Sequence, residues 1–364
     1  MYIYFFTFKM KNLVKLVGLA FLIQIQFSCD PPNDAISVDT FIRAADLSSL
    51  PQIESEATIF YNNNHPEDII TTLKNAGCNT IRIRLWKNPS DSHSSLAEVK
   101  SLSLRIKNAG LKVWLTVHYS DTWADPGSQT TPFVWQNMSF LNLKGAVSNY
   151  TALIISEIHP DIFQIGNEIN DGFLWPEGNL STNQSQFLEL LQTASATIRA
   201  QAPKTKIMIH YAGITGANSF FNKISNLDYD YIGLSFYPIW HGKSISILQN
   251  SINNLGETFD KRVLIAETSY PFTLGWNDWT NNIVGLENQL MPEYPPTPEG
   301  QNNFLSAIKS SLKASAYGQG FSYWGTELVA FRGTQATNGS PWENQALYDF
   351  TNNSLPAMQV FSAD

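Results

Sequence analysis

Eight short apolar runs, separated by segments long enough for helices, constrain this chain more than any other feature. They fall at 41–47 (FIRAADL), 80–86 (TIRIRLW), 112–118 (KVWLTVH), 162–165 (IFQI), 206–210 (KIMIH), 231–236 (YIGLSF), 262–267 (RVLIAE) and 320–324 (GFSYW). Helical patterns lie between them, among them 66–76 and 96–108, the latter stopping at Ala109-Gly110. Strands alternating with helices predict one parallel sheet. Eight strands within 35–364 match a single-domain α/β fold, the (β/α)8 or TIM barrel, with enlarged loops. A doubly wound open sheet is the main competitor, but no Gly-rich nucleotide loop follows the first run.

At 43% hydrophobic and 15% charged, the composition is that of a globular core and not a disordered polymer. The net charge of −8 argues against nucleic acid or another polyanion as partner. Ten Trp and 14 Tyr suit either core packing or stacking on sugar rings, and composition does not choose between them. Lys9, Lys11 and Lys15 precede an apolar segment at 16–27 that is too short to span a membrane comfortably. With Ser28-Cys29 behind it, residues 1–29 resemble a bacterial lipoprotein signal whose cysteine takes the lipid, although Gln26 and Phe27 depart from the usual Leu-Ala type. An ordinary secretory peptide cleaved nearby is the alternative, and Met10 could serve as the start in place of Met1. Residues 30–34 (DPPND) read as a tether, leaving 35–364 as the catalytic domain. An exported, envelope-anchored protein is expected, touching membrane only through that anchor. If Cys29 carries lipid, the one other cysteine, Cys78, has no disulfide partner and is expected as a small buried filler. No His, Cys or Asp spacing suggests a catalytic zinc site.

Polar and aromatic residues collect where a barrel places its active site, at strand C-termini. The fourth run stops on Gly166-Asn167-Glu168 and the seventh on Glu267. Around them fall Asp46 and Ser48; Arg84 and Trp86; His118, Asp121 and Trp123; Tyr237, Trp240 and His241; and Trp324. Two carboxyl groups about 5–5.5 Å apart, one a proton donor and one a nucleophile, are what hydrolysis of a glycoside with retention requires. Strands four and seven are not neighbours in an eight-stranded barrel, so their glutamates face each other across its mouth. Arg84 is expected to hold Glu267 ionised, with Tyr237 bonding the same carboxylate. Glu168 needs a raised pKa to act as the acid. Each residue also has a plainer reading. Asn167-Glu168 could cap a helix, Arg84 could form a rim salt bridge, and Trp86, Trp123 or Trp240 could be loop packing.

Six stretches carry a resemblance: HYSDTWADPGSQT (118–130), QIGNEINDGFLWPEG (164–178), GLSFYPIWHG (233–242), AETSYPFT (266–273), YPPTPEGQ (294–301) and WENQALYDF (342–350). In this order they resemble glycoside hydrolase family 53, the endo-β-1,4-galactanases of the clan A barrels. The resemblance implies Glu168 as acid/base and Glu267 as nucleophile. It also implies Arg84, His118, Asn167, Tyr237 and Trp324 as supporting or sugar-contacting residues. The implied substrate is the β-1,4-galactan of pectic arabinogalactan, cut internally by a monomer that requires no cofactor. Some bacterial members hold a calcium after strands seven and eight, where Asp278, Asn281 and Asn282 offer oxygen ligands. Two departures stand out. Ala44-Ala45-Asp46 replaces the frequent Gly-Ala-Asp, and Tyr323-Trp324-Gly325-Thr326 replaces the usual Tyr-Trp-Glu-Pro, losing its acid. The competing readings are another clan A endo-glycanase (mannanase, xylanase or endoglucanase) and a lipid-anchored glycan-binding barrel without catalysis.

Overall fold

A computed structural model describes residues 41–363. The expected signal segment 1–29 with Cys29, and the tether 30–34, lie outside the described residues.

Eight parallel strands close into a barrel, which excludes the open sheet. They are β1 (Ile42–Asp46), β2 (Thr80–Leu85), β3 (Lys112–Val117), β4 (Ile162–Ile165), β5 (Lys206–Ala212), β6 (Tyr231–Ser235), β7 (Arg262–Thr268) and β8 (Gly318–Tyr323). Closure is made by β1, which pairs with β2 through Ala44 and Thr80 and with β8 through Ile42 and Gly320. Helices α1 (Ile69–Ala76), α2 (Leu96–Asn108), α3 (Phe140–Ile158), α4 (Gln184–Gln201), α5 (Ala217–Lys223), α6 (Ile245–Phe259) and α7 (Pro298–Lys313) form the outer ring. The place of an eighth helix is taken by a 3₁₀ segment, Pro356–Phe361, packed on α1 and α7. The helix starts follow capping chemistry. Asp68, Ser95 and Ser139 each accept a hydrogen bond from a backbone N–H in the first turn of α1, α2 and α3.

Strand alternation sorts the side chains into two sets. Outward residues such as Ile81, Ile83, Val113, Leu115, Phe163 and Ile165 form the main core beneath the helices. Inward residues Ile42, Trp114, Ile162, Met208, Tyr231 and Leu264 plug the barrel's lower half. Nearer the strand C-termini the inward set turns polar: Arg82, Thr116, Gln164, His210 and Ser235, all buried. A buried polar layer is stable only when hydrogen-bonded throughout, so the interior is wired toward its C-terminal mouth. Residues 269–297 and 324–355, after β7 and β8, are the longest excursions, and the second of them walls one side of that mouth.

Candidate active site

Both glutamates reach the mouth through irregular backbone. After β4, Gly166 adopts φ +73°, where a Cβ would come within 2.4 Å of Ile169 Cγ2. Glu168 is itself left-handed at φ +47°, a conformation that costs a non-glycine residue on the order of 1 kcal/mol. The turn is held by Ile169 N donating to His210 O and by Gln129 Nε2 donating to Asn167 O at 2.8 Å. The next helix begins only at Gln184, so Asn167-Glu168 caps none. On β7, alternation that puts Leu264 and Ala266 inside would send Glu267 out toward the helices. The strand register instead shifts here: Leu234 pairs with Ile265 but Ser235 with Glu267, and Phe321 pairs with Ile265 but Tyr323 with Thr268. This bulge inserts one residue and turns Glu267 into the mouth, a common use of bulges beside active sites.

The guanidinium on Glu267 belongs to Arg82, not to Arg84 as the sequence reading has it. Arg82 Nη2 bonds Glu267 Oε1 at 2.7 Å and Asn167 Oδ1 at 3.0 Å, while Nη1 bonds Asp46 Oδ2 at 2.6 Å. Both arginines of TIRIRLW face inward, two residues and therefore roughly 6–7 Å apart along the strand. The lower one is level with the carboxylates. Arg84 lies nearer the rim, between the rings of Trp86 and Trp123 with its carbon at 4.3 and 4.2 Å from their centroids, and Nε donates to Ser94 Oγ. Burial brings the Arg84 pKa down to about 10.

Tyr237 donates its hydroxyl to Glu267 Oε2 at 3.1 Å. Burial raises Glu267 above the ordinary carboxylate range, and Arg82 and Tyr237 pull it back toward ionisation. Glu168 has no cation in hydrogen-bond contact. Burial first, then the charge of Glu267, pushes its pKa up to about 8. Of the two carboxyls, Glu168 is therefore the one whose surroundings favour the proton, and Glu267, bonded to Arg82, the one whose surroundings favour the charge.

Glu168 has a further partner that the sequence reading missed. Ser235 Oγ donates to Glu168 Oε1 at 2.5 Å and sits 2.9 Å from His210 Nε2. On the other side of the ring, His210 Nδ1 faces the donors Gln164 Nε2 (3.0 Å) and Glu168 N (3.4 Å), which leaves the ring proton on Nε2. Burial, with Arg82 close by, holds His210 neutral. The chain runs from His210 through Ser235 to Glu168. Period-two alternation in KIMIH and YIGLSF faces His210 and Ser235 inward, but both lie inside their strands and not beyond the strand ends.

Glu168 and Glu267 share one cavity of about 610 Å³ with Asn167, Tyr237, Trp240 and His241. Trp123 and Trp324 also face it, as does Trp342, which belongs to the 342–350 stretch but was not singled out. Trp342 packs edge-on against Trp324 at 4.4 Å and beside Tyr237 and Trp240, making a continuous aromatic wall. The remaining expected residues lie behind this surface. Asp46 is buried under Arg82, and its Oδ1 accepts from Ser48 N. His118 is buried, with Nδ1 accepting from Ala124 N and Trp86 Nε1, and burial beside Arg84 keeps it neutral. Asp121 ties two loops by accepting from Asn88 N and Phe133 N. Trp86 supports Arg84 and Trp123.

At the end of β8 a different acid is buried. Glu327 Oε1 accepts from Ser49 N at 2.7 Å, and burial with Asp46 nearby pushes its pKa up to about 8. The proposed calcium ligands do not assemble. Asp278 Oδ1 accepts from Thr280 N, Asn282 Nδ2 donates to Gly275 O, and Asn281 is exposed. Asp278 and Asn282 each keep one buried oxygen without a partner. Among the described residues no group of three or more His, Cys, Asp or Glu side chains could hold a metal ion.

A family model described as glycosyl hydrolase family 53 matches residues 42–361. An arabinogalactan endo-β-1,4-galactanase of Cellvibrio japonicus is 35% identical, over 91% of this chain and 93% of its own length. An endo-β-1,4-galactanase of Bacillus subtilis is 30% identical, over 88% and 85%. Among solved structures, the Ignisphaera aggregans GH53 catalytic domain superposes with a TM-score of 0.85 at 35% identity, covering 89% of this chain and 96% of that one.

Proposed function

The chain belongs to glycosyl hydrolase family 53, and from that membership we propose that it cleaves internal β-1,4-galactosidic bonds of pectic (arabino)galactan, with retention, to galacto-oligosaccharides. The observation that carries the chemistry is the asymmetry of two glutamates on one cavity: Glu267 is paired with Arg82, and Glu168, bonded only to the neutral Ser235, has its pKa pushed up to about 8. The names of the relatives support the choice of substrate.

In this scheme the Glu267 carboxylate attacks the anomeric carbon while Glu168 passes its proton to the departing glycosidic oxygen. A galactosyl ester on Glu267 results. Glu168, now a carboxylate, takes a proton from water, whose oxygen attacks the same carbon and releases Glu267. Two displacements restore the original configuration. Asn167 is pre-aimed for the sugar: Arg82 and Gln164 occupy its Oδ1, and one N–H goes to Ala124 O, so its other N–H points a donor at a hydroxyl. The indoles of Trp123, Trp240, Trp324 and Trp342 offer flat faces to the pyranose rings. In this reading the side chains carry every step without a cofactor, and the chain acts as a monomer.

A polysaccharide panel read by product chromatography tests the reading. Galactan should yield a ladder of oligosaccharides, and turnover confined to mannan, xylan or β-glucan would overturn it. Azide should restore turnover to Glu267→Ala with a galactosyl azide of inverted configuration, whereas a retained configuration would reassign the nucleophile. We propose further that Cys29 carries a lipid anchor at the cell envelope, which suits an enzyme for a polymer too large to import. Loss of acyl labelling and of membrane-fraction protein in Cys29→Ser is the expected result, and unchanged labelling would exclude it. Among the described residues no helix is long and apolar enough to cross a membrane.

A further inference from the structure

We propose that Trp276 and Trp279, on the excursion after β7, form a distal platform that binds galactan units beyond the catalytic cavity. This inference rests on the galactanase reading above. Both indoles are more than half exposed, at 51% and 61%, and neither lines the cavity. Tryptophan is a large apolar payload that proteins seldom leave open without a partner.

The backbone beneath these two residues is unusually well fixed. Glu343 Oε1 accepts from Asn277 N at 2.5 Å and from Asp278 N at 3.3 Å. The Asp278 side chain, which turns inward, accepts from Thr280 N at 2.6 Å. Trp279 N donates to Ala336 O, Gly339 N to Thr280 Oγ1 at 2.8 Å, and Ile283 N to Pro341 O. Buried acids therefore hold the loop on which the exposed Trp276 and Trp279 stand.

Continuity with the cavity identifies the occupant. The strip that Trp279, Thr280 and Ile283 bond to, 336–341, continues directly into Gly339, Ser340, Pro341 and Trp342, which wall the catalytic cavity. Trp279 is thus bonded through its backbone to the strip that leads into Trp342, with Trp276 three residues before it on the same loop. A polymer passing over that wall meets aromatic faces before and after it, and the C–H faces of galactose are apolar enough to stack on them. Neighbouring polar backbone leaves the ring hydroxyls in contact with water.

The test uses the full chain made inactive by Glu267→Gln, with and without Trp276→Ala and Trp279→Ala together, run in native gels containing potato galactan. Retardation by galactan should weaken about tenfold in apparent dissociation constant when both indoles are removed, and Trp276→Phe with Trp279→Phe should restore most of it. In the active chain the double Ala variant should raise KM on long galactan and leave kcat/KM on galactotetraose within about twofold, because the cavity itself is untouched. Undiminished retardation of the double Ala variant overturns the platform. So does a matching loss on galactotetraose, or a change confined to self-association or vesicle binding. Should the Glu267→Gln chain ignore galactan but bind xylan or mannan, the galactanase reading fails and the platform is judged by the same comparison in that gel. Binding to none of them refutes both.

Discussion

At the scale of single residues, the site depends on where one guanidinium and one proton sit. Arg82 pairs with two buried carboxylates, Asp46 and Glu267, and removing one member of a buried pair leaves charge uncompensated at about 3–5 kcal/mol. Arg82→Gln should therefore lower unfolding free energy by that order and reduce turnover by several orders of magnitude. Arg84→Gln should keep turnover within about tenfold, since Arg84 meets no catalytic carboxylate. Chemical denaturation and initial rates on galactan separate the two, and the reverse ranking would return Arg84 to the catalytic role. The proton on Glu168 sets the alkaline limb of activity. The reaction needs Glu168 protonated and Glu267 ionised, so kcat/KM should fall as pH rises through about 8. Because burial raises Glu267, the acid limb should lie above an ordinary glutamate. The Ser235 hydrogen bond stabilises the Glu168 carboxylate and lowers its pKa. Ser235→Ala should accordingly move the alkaline limb up while kcat drops about tenfold, and a downward shift would contradict the donor role assigned to the hydroxyl.

Among the elements, two backbone irregularities aim the chemistry. The bulge on β7 reverses the facing of Glu267, and the left-handed turn at Gly166 and Glu168 lifts the acid clear of β4. Gly166 holds φ +73° against Ile169, so Gly166→Ala combines a strained dihedral with a clash worth on the order of 1–3 kcal/mol. A lower melting temperature together with a lower kcat is expected. A variant that melts early yet turns over normally would show that the turn does not control Glu168. These irregularities also explain a limit of sequence reading. Period-two alternation places Arg82, His210 and Ser235 inside the barrel, but applied to RVLIAE it places Glu267 outside. Finding Glu267 at a strand end was sound, whereas its inward aim depends on pairing register with β6 and β8, which is a property of three strands and not of one.

For the molecule as a whole, burying acids without full compensation gives stability a particular pH dependence. Glu168 and Glu327 both have folded pKa values pushed up to about 8, against roughly 4.3 for an unfolded glutamate. Between those values the folded chain binds more protons than the unfolded one, so stability declines as pH rises through the window. Glu327→Gln keeps the bond from Ser49 N and removes the titration. Its melting temperature should exceed wild type increasingly from pH 6 toward pH 9, and a gap that stays constant over that range would mean Glu327 is already ionised in the native state. The same residue bears on the departure at strand eight. The acid absent directly after Trp324 has no replacement at that position, but Glu327 buries a carboxyl nearby, against the N–H of Ser49.

Alternation of eight strands with helices determined one parallel sheet covered by helices, and its closure through the pairing of β1 with the last strand was decided in three dimensions. Strand C-termini then located Glu168, Glu267, Tyr237 and, of the tryptophans of the mouth, Trp123, Trp240 and Trp324, since a barrel offers its side chains there. Which arginine meets the nucleophile was left to three dimensions. Arg82 and Arg84 have the same residue type, strand and facing, and only depth in the barrel, set by the stagger of β1, β2 and β7, distinguishes them. The path from His210 through Ser235 to Glu168 likewise joins three strands far apart in sequence. Hydrogen bonds of this kind follow from distances of about 3 Å between side chains, and no local pattern in the chain encodes those distances.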